Sequence, residues 1–252
     1  MNCDPASEVP LKYQPLNETD LNRREELGKP IYNFLKNYHD YSLVGSEKID
    51  PTKNYLFIAN HSLATYDFLL LVGSIYFEKN IFARSVVDNL LYYTPLLHKL
   101  SSFFQMVPGN FRALKKMLES GESILIAPGG MQEALRSSQE KRKILWERKR
   151  GFISLSITTK TPIILAACPE ADDIYDVYKN PLTDFMYQKF KFPLPIAKGK
   201  NSLLPFLPKK IKLTHRLEGP FEPPSYEAGE DLDQKIEEFH AFLSEKMKQL
   251  LE

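Results

Sequence analysis

The chain has 252 residues, 43% of them hydrophobic and 26% charged, enough for one large domain with a buried core and short for two. Its 33 basic and 32 acidic residues leave a net charge of +1, which argues against a nucleic-acid binder working by bulk electrostatics. Two cysteines, Cys3 and Cys168, are too few for a disulfide framework and lie outside any metal-ligand spacing, so a reducing, cytoplasmic setting is expected.

Residues 1–18 are polar and lack the apolar segment of a secretory signal, and they read as a flexible arm. Thr19 is placed to cap a helix through LNRREELGK; Gly28-Lys29-Pro30 then breaks or kinks it before IYNFLKNYHDY, where Ile31, Phe34, Leu35 and Tyr38 share a face. This makes an N-terminal helical layer over residues 19–45. NYLFIAN suits a buried strand, and a helix follows from Thr65 to Phe77. Its run FLLLVGSIYF is the longest apolar stretch and reaches only about half the length of a bilayer-spanning helix, so no transmembrane helix is predicted.

IFARSVV is a strand, NLLYYTPLLHKLSSFF a helix broken before Pro95, and QMVPGN a short strand and turn. FRALKKMLESG is a helix stopped by Gly121, and SILIAPGG a strand entering a Gly-Gly turn. KRGFISLSITTK is a helix and TPIILAACPE a strand. Residues 172–209, rich in Pro and aromatics, read as an irregular cover; IKLTHRLEGP is a late strand and DLDQKIEEFHAFLSEKMKQLLE a closing helix over 231–252. Strands alternating with helices predict an α/β fold: a partly parallel mixed sheet flanked by helices, with a core over 50–220 inside a single domain over 19–252.

Four segments carry candidate chemistry. Asn60-His61-Ser62-Leu63-Ala64-Thr65-Tyr66-Asp67 lies at the carboxyl end of a predicted strand, where α/β sheets place their ligands. His61 there suits a general base, and Asp67 suits the carboxylate that orients it; the same residues also suit a plain helix cap. Ala127-Pro128-Gly129-Gly130-Met131-Gln132-Glu133-Ala134-Leu135-Arg136 follows another strand, and its glycines permit close approach of backbone N–H groups to a ligand. An ordinary strand-to-helix turn with a Glu133–Arg136 surface pair is the plainer reading. In Gly109-Asn110-Phe111-Arg112 the arginine suits a phosphate or carboxylate fork, or simply solvent. Lys141 to Arg150 surrounds Ile144, Leu145 and Trp146 with cations, which fits an anionic membrane surface or a solvated loop with one buried Trp. His39, His98, His215 and His240 show no ligand spacing, and no metal site is expected.

The blocks NHSLATYD, GNFR, APGGMQEALRS and TPIILA, in that order, resemble the glycerolipid acyltransferase superfamily. PGG-x-x-E-A-L followed by Trp146, then Arg150-Gly151-Phe152 and YQKFKFPLP, are similar to the branch related to diacylglycerol acyltransferases and transmembrane protein 68. Two features depart from the common family pattern: five residues rather than four separate His61 from Asp67, and Ala166 stands where a second Pro is usual.

The resemblance implies direct attack of an acceptor hydroxyl on an acyl-CoA or acyl-carrier thioester, with His61 as base and Asp67 orienting it. Asn60, Arg112, Gly129, Gly130, Glu133 and Arg136 would bind the acceptor or the thioester oxygen. No cofactor beyond the acyl thioester donor is implied. The acceptor would be a mono- or diacylglycerol, a lysophospholipid or another alcohol, met at a membrane surface by a peripheral protein. A thioesterase and a non-catalytic lipid-binding protein on the same fold remain alternatives. A convergent site further requires Asp67 within hydrogen-bond reach of the His61 ring and a hydrophobic groove beside it.

Overall fold

A computed structural model describes residues 18–88, 101, 104–178, 180, 196–200, 207–226 and 231–252, with the side chains of 18–24 outside the description. The expected arm up to residue 17, the helix NLLYYTPLLHKLSSFF and the segment YQKFKFPLP fall wholly or mainly outside the described residues.

Helix α1 (Glu18–Tyr38) leads into strand β1 (Ser42–Val44), then β2 (Leu56–Ala59), α2 (Asp67–Lys79), β3 (Ala83–Val87), β4 (Val107–Pro108) and α3 (Phe111–Glu119). Next come β5 (Ser123–Ile126), the short α4 (Gly130–Ala134), α5 (Gly151–Thr159), β6 (Ile163–Ala167), β7 (Asp176–Tyr178), β8 (Ile196–Lys198), β9 (Thr214–Phe221) and α6 (Leu232–Leu251). Seven strands form one sheet in the order β1-β9-β6-β2-β5-β3-β4, while β7 and β8 pair separately. The five strands from β6 to β4 are mutually parallel, β9 runs against β6, and β1 runs with β9. The fold is therefore the mixed, mostly parallel α/β sheet expected.

The central strands are apolar on both faces because helices cover both. Leu56 and Ile58 of β2, Ile124 and Ile126 of β5, and Ile163 and Leu165 of β6 face one layer with α3, α5, α6 and Trp146. The alternate residues Phe57, Ala59, Leu125, Ile164 and Ala166 face Leu71 and Ile75 of α2. The two-residue period of the strand sorts one continuous apolar run into two cores.

Of the break or kink expected at Gly28-Lys29-Pro30, helix α1 corrects the break. It continues through Gly28-Lys29-Pro30, with Pro30 exposed on the solvent side, where its ring costs backbone hydrogen bonding without ending the helix. Its buried face is also shifted. Tyr32 lies on α2, where a Cβ at Gly73 would stand 2.6 Å from the ring, and its hydroxyl meets Ser74 Oγ at 2.8 Å. Tyr32 and His39 are therefore buried, whereas Leu27, Ile31 and Phe34 are 50%, 43% and 66% exposed. The described part of the expected irregular cover begins at the end of a 3-10 turn (Pro169–Asp173) and contains the β7–β8 pair.

The topology defines one functional edge. The carboxyl ends of β2, β5, β3, β4 and β6 lie together, and the reversed β9 begins at that same edge, with Arg216 opposite Ala167. Strand β1, with Ser42 beside Thr214, begins there too.

Candidate active site

Asn60 and His61 leave the end of β2. The Asn60 side chain ties that end to β6: its Oδ1 accepts the Cys168 N–H at 2.9 Å and its Nδ2 donates to the Cys168 carbonyl at 3.4 Å. The next peptide is gripped from the second motif. His61 N–H donates to Glu133 Oε1 at 2.6 Å, and Arg136 Nη1 donates to the His61 carbonyl at 2.9 Å. Glu133 Oε2 accepts the Leu145 N–H at 2.8 Å, so one fully buried carboxylate joins three segments of chain.

Gly129 makes room for that carboxylate. A Cβ at Gly129 would stand 2.0 Å from Glu133 Oε2, closer than any real contact. Gly130 serves otherwise, adopting the left-handed region at φ +57° with open space around it. Arg136 is buried as well, and it also donates to the Glu133 carbonyl at 3.1 Å and to Asp172 Oδ2. Asp172 Oδ2 in turn accepts the Arg142 N–H at 2.7 Å. The expected surface pair of Glu133 and Arg136 is thus an interior brace for the His61 loop.

His61 itself is half-buried. Its Nδ1 lies 3.1 Å from the Ser62 carbonyl, and its ring packs 5.5 Å from that of Phe68. A carbonyl only accepts, so Nδ1 carries the proton and the lone pair is on Nε2. Burial lowers the pKa to about 4, the Arg136 charge adds to the fall, and the Ser62 bond opposes it. The ring is neutral at neutral pH.

The structure places Asp67 differently from the expectation. Asp67 opens α2 after a left-handed residue, Thr65 at φ 47°, and its buried carboxylate points toward β9. Oδ2 lies 3.8 Å from His215 Nε2, and Oδ1 has no partner. The hydrogen bond found on the His61 ring is the one its Nδ1 donates to the Ser62 carbonyl. Burial first, then the Asp172 charge, raises Asp67 to about 7, and burial raises Glu133 to about 7.

Arg112 occupies the exposed first turn of α3, behind the Asn110 cap that accepts the Ala113 N–H at 3.1 Å. It shares the functional edge, but β4 lies three strand positions from β2, about 14 Å at ordinary strand spacing. Asn60, His61, Gly129, Glu133 and Arg136 converge; Arg112 stands to one side. A cleft next to Arg136, lined by Leu63, Ser137, Lys141, Asp172 and Tyr175, encloses only about 10 Å³ and is smaller and more polar than the acyl groove expected.

Sequence reasoning missed Asp172, His215 and Tyr41. Asp172 carried a signal, since it closely follows the Pro-led strand at the functional edge. His215 and Tyr41 join Asp67 only through the sheet.

A model of the family described as diacylglycerol acyltransferase matches residues 16–252. The chain is similar to the Homo sapiens protein named "DGAT1/2-independent enzyme synthesizing storage lipids", 30% identical over 157 residues, covering 62% of this chain and 48% of that one. It is similar also to "Diacylglycerol O-acyltransferase 2" of Dictyostelium discoideum, 25% identical over 243 residues, covering 88% of this chain and 72% of the other. The chain spans about half the length of the first of these relatives. Among solved structures, the 1-acyl-sn-glycerophosphate acyltransferase PlsC from Thermotoga maritima shares the fold, with a TM-score of 0.55 at 19% identity over 90% of this chain and 79% of that one.

The brace yields a stability test. Gly129→Ala must expel the Glu133 carboxylate from two backbone N–H groups, leaving buried polar atoms unpaired at about 2–4 kcal/mol. Gly130→Ala meets only left-handed strain, about 1–2 kcal/mol. Urea denaturation should rank Gly129→Ala well below Gly130→Ala; equal midpoints would remove this role for Gly129.

Proposed function

This chain belongs to the diacylglycerol acyltransferase family, and from that premise we propose that it is an O-acyltransferase acting on a glycerolipid-type acceptor. The donor is an acyl-CoA or acyl-carrier thioester, and His61 is the general base. The observation that carries this reading is the contact of His61 Nδ1 with the Ser62 carbonyl at 3.1 Å, which assigns the ring proton to Nδ1 and leaves the Nε2 lone pair to accept the proton of the attacking hydroxyl.

In this mechanism the acceptor hydroxyl attacks the thioester carbonyl while Nε2 takes its proton. The tetrahedral intermediate then expels the thiolate, which recovers the proton from the imidazolium, leaving an ester and a free thiol. Glu133 and Arg136 hold the His61 peptide in place, the first accepting its N–H and the second donating to its carbonyl. Arg112 is the candidate for a polar group on the acceptor.

The lipid would be met at a membrane surface. Leu27, Ile31 and Phe34 recur at helical spacing on α1 and are exposed, and Tyr38 continues the stripe with its ring 6.1 Å from that of Phe34. Tyr38 donates to the Pro208 carbonyl at 2.9 Å, next to exposed Leu207, and the adjacent His39 Nε2 meets the Tyr66 hydroxyl at 2.8 Å in the loop that carries His61. The apolar face thus runs toward the site. Three cations of the 141–150 segment are engaged within the protein, Lys141 and Arg142 with Asp173 and Arg150 with Glu237. Among the described residues no helix is long and apolar enough to cross a membrane.

His61→Ala should lower acyl transfer to a diacylglycerol acceptor by about 10²–10⁴-fold with the fold retained. The acid limb of kcat/KM should lie near pH 4 rather than near the ordinary histidine value, because the ring stays a neutral base until it protonates at about 4. A folded His61→Ala chain with normal turnover would overturn the mechanism. Phe34→Glu should weaken sedimentation with phospholipid vesicles about tenfold or more, since it replaces an inserted aromatic by a charge, and added salt should change wild-type binding little. Equal sedimentation of wild type and Phe34→Glu would remove the surface.

A further inference from the structure

Behind the His61 loop lies a buried polar cluster that no step above uses. Asp67, His215 and Tyr41 are 1%, 0% and 5% exposed. The Tyr41 hydroxyl lies 3.1 Å from His215 Nδ1, with the two rings 5.6 Å apart, edge to face. On its other side His215 turns Nε2 toward Asp67 Oδ2 at 3.8 Å. Ser62 Oγ lies beside the same carboxylate, close enough to hold its pKa down against the rise that burial causes. His215 Nε2, Asp67 Oδ1 and Ser62 Oγ are all buried and lack a partner.

Buried polar atoms without partners are costly, and here a carboxylate oxygen and two neighbouring atoms share that state. A Tyr41 O–H donated to Nδ1 puts the His215 proton on Nε2, aimed at Asp67. A shift of about 1 Å closes that contact to hydrogen-bond length. Chain direction delivers both partners: Tyr41 directly precedes β1, and His215 is the second residue of β9. These two strands run against the other five, so their starts meet the ends of β2 and β6.

We propose that His215, held by Tyr41, is a positioning residue that fixes Asp67 beneath the Ser62 segment presenting the His61 ring. The site then extends past the four motif blocks to β1 and β9. This rests on the reading of His61 as the base, and the controls separate the two.

The test uses the full chain with oleoyl-CoA and diacylglycerol in mixed micelles. His215→Leu should lower kcat by up to about 100-fold, the scale of a misplaced catalytic group, with KM changed little. His215→Gln keeps an N–H where Nε2 stood and should recover most of that loss; Tyr41→Phe should show a smaller fall in kcat alone. Equal kcat for His215→Leu and His215→Gln, whether both high or both low, would overturn the proposal, provided His61→Ala is inactive. If His61→Ala is active, the base reading has failed instead. Nitrogen-15 NMR of the histidine-labelled wild-type chain then decides the present point without turnover. A His215 ring protonated at Nε2, with a shift that moves in Asp67→Asn, supports the proposal, and a ring protonated at Nδ1 overturns it.

Discussion

The candidate site depends on one buried carboxylate. Glu133 accepts the N–H of His61 and the N–H of Leu145, and the same helical turn sends Arg136 to the His61 carbonyl and to Asp172. Both polar groups of the His61 peptide are thereby engaged by side chains from a motif far along the chain. A loop held only by its own ends would sample many ring positions. This one is fixed through its backbone, which leaves the ring's two nitrogens for tautomer control and for chemistry. The arrangement needs Gly129, because no other residue leaves space for the carboxylate.

Strand direction is the second constraint. A parallel sheet gathers the ends of its strands on one edge, and this sheet does so for β2, β5, β3, β4 and β6. The reversal at β9 adds something a purely parallel sheet lacks, since strand beginnings also reach that edge. His215 and Tyr41 arrive by that route. Motif-bearing residues thus form the face of the site around His61, and residues outside any motif form its floor around Asp67.

These constraints explain what was legible in the sequence. LFIA, SILI and IILAA read correctly as strands because burial on both faces leaves an unbroken apolar run. Ser42-Leu43-Val44 escaped notice because a three-residue edge strand has too little pattern to detect. The break expected at Pro30 did not occur because packing of Tyr32 against Gly73 and Ser74 outweighs a local preference. The role of Gly129 was readable in part: Glu133 lies four residues on, one helical turn away, where its side chain can fold back. The contact of Asp67 with His215 was not readable, since it depends on strand order rather than on spacing.

Burial at this edge also shapes the response to pH. His61 is lowered by burial to about 4 and His215 to about 3, so the folded chain declines protons that an unfolded chain binds near 6.5. Their contribution to stability is full above about 6.5 and is lost as pH falls toward 4 and 3. Asp67 and Glu133, raised by burial to about 7, act with the opposite sign. The folded chain keeps two protons that the unfolded chain releases near 4, and that contribution is lost as pH rises through 7. Between about pH 4.5 and 6.5 the two rings and the two carboxyls act on stability with opposite sign. Neutralising Asp67 and Glu133 with Asp67→Asn and Glu133→Gln should expose the histidine term alone, a stability that rises with pH across this window in urea titrations. A doubly substituted chain whose midpoint ignores pH would mean that the two rings are not held neutral. The buried edge tolerates four ionisable groups because their neutral forms coexist over one range of pH, and within that range His61 remains a base.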